Sequence, residues 1–135
     1  MILPMSLLGH KEFTPALIEA FPEVREEVED EVFSGLLHLE MACFARYTQA
    51  AIDAGDYERI RVCFEFADRF FRAADDELKN AFYVSYLEHL YFGRSSGERT
   101  KSLMPPALLE GWHEIMRYLE ELSREAMEVE RKSKR

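Results

Sequence analysis

Between Tyr57 and Ala74, plotted at 100° per residue, the charged side chains Glu58, Arg61, Glu65, Asp68, Arg69 and Arg72 share one narrow arc. Ile60, Val62, Cys63, Phe64, Phe66, Ala67, Phe70 and Phe71 cover the remainder. A helix that is apolar over more than half its circumference needs neighbours on several sides. No segment alternates apolar and polar residues over the length of a strand, so no sheet is available to supply them. The expected fold is all-α: a single compact bundle of about five helices, mostly antiparallel neighbours, over residues 1–135.

The punctuation of the chain divides the rest. Residues 1–13 are apolar but aperiodic and read as an extended arm, with Met5 a potential second start. Pro4 interrupts the apolar run and no basic residues precede it, so neither a signal peptide nor a membrane span is expected. Thr14 and Pro15 are read as an N-cap and first helical residue. Pro22 ends that helix and can open the next, "PEVREEVEDEVF". Leu36–Ala54 is expected as a helix closed by Gly55, Tyr57–Ala74 as one capped by Asp56, and Glu77–Phe92 as one capped by Asp75 and Asp76. Short links at Gly55 and at Asp75–Asp76 imply antiparallel neighbours. Residues 93–104 read as a polar basic loop. Pro105 and Pro106 open a last helix running to about Lys132, with residues 132–135 frayed. Its single stripe, Leu108, Trp112, Ile115, Leu119, Leu122 and Ala126, suits a helix on the outside of the bundle.

On the wheel of the expected Glu77–Phe92 helix, Phe82, Tyr83, Val84, Tyr86, Leu87, Leu90 and Tyr91 form one broad face. Ser85, Glu88 and His89 gather opposite, beside Phe92, as a wetted stripe that can contact a partner. Two polar residues fall on apolar faces. Glu40 sits among Leu36, Cys43, Phe44, Tyr47 and Ala51, and Asn80 lies between Leu87 and Tyr91. An unpaired buried carboxylate is costly. Glu40 is therefore expected to bond across a helix interface to a Tyr hydroxyl, an Arg or Asn80. Cys43 and Cys63 read as small core residues in a reducing cytoplasm.

Catalytic patterns are weak. Ser85 and His89 are one helical turn apart, but interior helix N–H groups offer no oxyanion hole, and there is no Gly-x-Ser-x-Gly elbow. Glu110 and His113 make one Glu-x-x-His step, where a di-iron bundle needs two and further glutamates. No cofactor, metal or catalytic residue is assigned. The net charge of −9 disfavours nucleic acid and anionic membranes as partners. Residues 1–33 hold eight acids and two bases, which makes Glu23, Glu26, Glu27, Asp30 and Glu31 the first candidates for contact with an electropositive protein.

The segments "GLLHLEMACFARYTQAAIDAGDY", "FEFADRFF", "DDELKNAFYVSYLEHLYF" and "LMPPALLEGWHEIM", within a similarity that covers about residues 14–122, resemble a group of small all-helical bacterial immunity proteins. Genes of that group lie beside polymorphic toxins of the Rhs and contact-dependent type. The resemblance rests on Leu37-His38-Leu39-Glu40, the Gly55-Asp56 turn, Asn80-Ala81, and Val84 to Glu88. It implies a cytoplasmic, non-enzymatic inhibitor that binds a cognate toxin, with an acidic helix filling a basic cleft. The alternative from the residues themselves is a helical adaptor that self-associates through aromatic faces, so monomer and dimer both stay open.

Overall fold

A computed structural model describes residues 7–93 and 97–134. The described chain contains seven α-helices, five of them ten residues or longer, and no strand. They are α1 (His10–Ala20), α2 (Arg25–Val28), α3 (Leu37–Ala54), α4 (Tyr57–Ala73), α5 (Asp76–Ser85), α6 (Gly97–Ser102) and α7 (Pro106–Ser133). Tight 3-10 turns at Pro22–Val24 and Leu87–His89 lead into α2 and out of α5. No described helix is long and apolar enough to cross a membrane.

The all-α bundle is as the periodicity implies. α3 packs on both α4 and α5, α1 lies across α3, and α7 covers α4. At the α3–α4 junction Gly55 adopts φ +67°. Its N–H donates to Ile52 O and that of Asp56 to Ala51 O, closing α3 in a paired C-terminal motif. Asp56 and Asp75 then cap α4 and α5, accepting from the N–H groups of Arg59 and Leu78. Phe13 of α1 is the hub of the core, with its ring against Phe44, Phe66, Phe70 and Phe82. Ile60, Cys63, Phe64, Phe66, Phe70 and Phe71 of α4 are buried as expected, whereas Val62 reaches solvent.

Several boundaries differ from expectation, each for a tertiary reason. α1 begins at His10, not Thr14, so Pro15 lies within the helix, on an exposed position. The chain before it is anchored by Leu8, which bridges Ala74: its N–H donates to Ala73 O and its O accepts from Asp75, both at 2.7 Å. Gly9 is buried there, and a Cβ would lie 2.4 Å from Asp75 Oδ2. Residues 1–6 of the expected arm, including Met5, lie outside the described residues. The acidic helix stops at Val28 and gives way to turns through Gly35.

α5 ends at Ser85, seven residues short of the expected Phe92. Tyr86 breaks the helix because its fully buried ring stacks on Phe44 at 4.7 Å and its hydroxyl shares a 3.0 Å hydrogen bond with Thr48. Farther on, the Gln49 side-chain amide bonds both backbone groups of Tyr91 at 2.8 Å, holding that stretch extended. Within 93–104 the expected loop is partly a helix, α6, with Thr100 and Met104 buried. Residues 94–96 lie outside the described part. α7 keeps its outside position, but its stripe is covered only at Leu108 and Ile115 and partly at Trp112 and Leu119. Leu122 and Ala126 are exposed, as is every residue from Glu120 to Lys134.

Candidate interaction surface

Residues 22–36 form a closed acidic promontory. Two of its acids tie it to the bundle. Glu23 accepts from the Tyr47 hydroxyl at 2.5 Å and from Arg59, whose guanidinium also bonds Tyr47 at 2.9 Å. The Tyr47 hydroxyl, above all, holds the Glu23 carboxyl below its ordinary range, and Arg59 adds to this. Glu27 pairs with Arg46 of α3, and that guanidinium lies over the Phe33 ring. The turn is stitched internally: Asp30 Oδ1 accepts from Val32 N–H at 2.9 Å, and Asp30 O accepts from Ser34 N–H at 2.8 Å. Gly35, at φ +82°, reverses the chain where a side chain would be strained.

With Glu23 and Glu27 engaged inward, Glu26, Asp30 and Glu31 are exposed and make no ion pair among the described residues. Two aliphatic side chains stand beside them. Val32 is 66% exposed and Leu36 is 54% exposed. Exposed acids and exposed aliphatic side chains therefore share one braced turn. The five candidate acids thus divide into Glu23 and Glu27, which tie the turn to the bundle, Asp30, which is exposed but holds the turn through Val32 N–H, and Glu26 and Glu31, which are exposed and unpaired among the described residues.

The second candidate set does not form a surface. Because α5 stops at Ser85, Ser85, Glu88 and His89 share no helical face. Ser85 is buried and shares a 2.7 Å hydrogen bond with His38 Nδ1, Glu88 is half-buried, and His89 alone is exposed. Phe92 does not flank an open stripe; it is buried against Trp112 at 5.2 Å. Tyr91, expected inside, is exposed for the same reason.

Glu40 is buried and bonded across a helix interface, but not to the expected partners. His10 Nε2 donates to its Oε1 at 2.5 Å and Thr14 Oγ1 donates at 3.2 Å, both from α1. Asn80 is exposed, contrary to expectation. The inner face of α5 is Leu78, Ala81, Phe82 and Ser85, and the helix ends before Leu87 and Tyr91 can flank Asn80. Sequence reasoning missed His10, Thr14 and His38. The positions of His10 and Thr14 one turn apart were a signal, hidden by starting the helix at Thr14. Glu110 and His113 are both exposed on α7, and among the described residues no group of three or more His, Cys, Asp or Glu side chains is placed to hold a metal.

Comparison with curated proteins and with solved structures returned no match. Residues 14–120 match a family model described as a domain of unknown function, DUF7674, and the chain belongs to that family.

Proposed function

We propose that this protein is a non-enzymatic binding protein of the bacterial cytoplasm, and that its acidic promontory docks in the basic cleft of a cognate toxin. The observation that carries the reading is the pairing of three outward acids, Glu26, Asp30 and Glu31, with exposed Val32 and Leu36 on a turn braced by Arg46 and Arg59. The resemblance of residues 14–122 to immunity proteins supports a toxin as the partner.

The two parts of the surface have different tasks. The acids steer approach, and screening limits them to a Debye length of about 8 Å at physiological salt. They therefore act on the rate of association. Val32 and Leu36 lose water only once docked, so they act on dissociation. Bracing keeps the ordering cost of docking small.

The test is a binding titration against the polypeptide encoded immediately upstream of this gene. Replacing Glu26 and Glu31 together by Lys, with Asp30 kept because its carboxylate holds the turn, is expected to weaken binding by about tenfold or more, mainly through slower association, with the melting transition unmoved. Val32→Ser with Leu36→Ser is expected to speed dissociation instead. Unaltered affinity in both variants removes the promontory from the interface. No complex with the neighbouring product removes the toxin.

A further inference from the structure

We propose that the distal half of α7 pairs with the same segment of a second copy of this chain, the two helices running antiparallel. The stripe Leu108, Trp112, Ile115, Leu119, Leu122, Ala126, Val129 steps alternately by four and three residues. That is the seven-residue repeat of a coiled-coil seam. The body of the protein covers Leu108 and Ile115, but the seam continues past it without interruption. Leu122 is 44% and Val129 68% exposed, on a helix about 42 Å long that remains regular to Ser133. An unpartnered apolar stripe of this period fits another helix of the same period.

Charge selects a second copy and its direction. Residues 1–116 hold twenty-one acids and eleven bases, whereas Arg117 to Lys134 holds five of each. The distal helix is thus balanced in charge, whereas residues 1–116 together carry an excess of acids. Within it, Glu120, Glu121, Glu125, Glu128 and Glu130, interrupted only by Arg124, precede Arg131, Lys132 and Lys134. Antiparallel pairing lays the basic end of one helix along the acidic stretch of the other. Parallel pairing sets Glu125 against Glu130 of the second copy at the positions flanking the seam, a like-charge contact. It also brings two strongly acidic bodies side by side, where antiparallel pairing holds them at opposite ends.

Sedimentation velocity of the full chain, from low to high micromolar concentration, tests this. The expected result is a reversible dimer that is lost in the Leu122→Glu, Val129→Glu double variant, with the thermal transition of the monomer unchanged because both positions are exposed. A single Lys132→Cys substitution tests direction, since the native thiols are buried. Antiparallel helices keep the two introduced thiols apart, whereas a disulfide-linked dimer formed under mild oxidation overturns the orientation. A monomer at every concentration, or a dimer indifferent to the double variant, overturns the pairing. Toxin binding is measured separately, through the promontory, so failure of one reading leaves the other standing.

Discussion

Glu40 of α3 accepts a 2.5 Å hydrogen bond from His10, thirty residues earlier in the chain, and a second from Thr14 one turn beyond His10. This is the polar clamp between α1 and the bundle. Glu40→Ala removes the acceptor for both and opens a void, and is expected to cost roughly 2–3 kcal/mol in urea unfolding. Glu40→Gln keeps an acceptor oxygen and is expected to lose less than half of that. Equal stability of Glu40→Ala and the native chain would refute the clamp.

Gly111 faces Phe71 where α7 crosses α4. A Cβ at Gly111 would lie 2.7 Å from Phe71 Cζ. Alanine favours a helix over glycine by about 1 kcal/mol, but displacing a buried ring costs typically 1–3 kcal/mol. Gly111→Ala is therefore expected to be destabilising despite better helix propensity. Adding Phe71→Leu relieves the clash, so a double-mutant cycle should show coupling between the two sites.

Three tyrosines lower the stability of the fold at alkaline pH. Burial, first, then the hydrogen bond to Glu23 or Glu114, pushes the phenols of Tyr47 and Tyr83 up to about 12. Burial lifts Tyr86 well above its ordinary value of 10. Between pH 10 and 12 the unfolded chain has released these protons and the folded chain has not. The unfolded state binds fewer protons, so the tyrosines' contribution to stability is full below pH 10 and falls as pH rises, on top of the fall that the raised thiols of Cys43 and Cys63 begin near pH 9. Tyr83→Phe is expected to make that fall shallower in unfolding curves measured from pH 9 to 11.5. An unchanged slope would remove Tyr83 from the account.

The two thiols are expected to be silent in the native state. Burial, chiefly, raises Cys43 to about 12 and Cys63 to about 11, so neither offers thiolate near neutral pH. Alkylation should therefore track global unfolding, with both residues labelled at one rate that rises with urea. Prompt native-state labelling of Cys63 would contradict its burial.

Much of the architecture was legible because it is written locally. Gly55 ends α3, Asp56 and Asp75 cap the helices that follow, and the arc of Tyr57–Ala74 separates core from solvent within a single element. Such features depend on residues a turn or two apart, and periodicity reports them. The burial of Glu40 was also legible, since its neighbours at helical spacing are apolar. Its partners were not, because His10 is brought there by α1.

What tertiary structure alone decided is where regularity stops. Nothing local forbids a helix through Phe92, yet Tyr86 is drawn onto Phe44 and Thr48, and Gln49 captures the backbone of Tyr91. That break disperses Ser85, Glu88 and His89 and leaves Asn80 in water. In the same way, the stripe of α7 reads as uniformly buried, although the body is long enough to cover only its first half. A sequence pattern states which faces avoid water; only the packed fold determines how much surface exists to cover them.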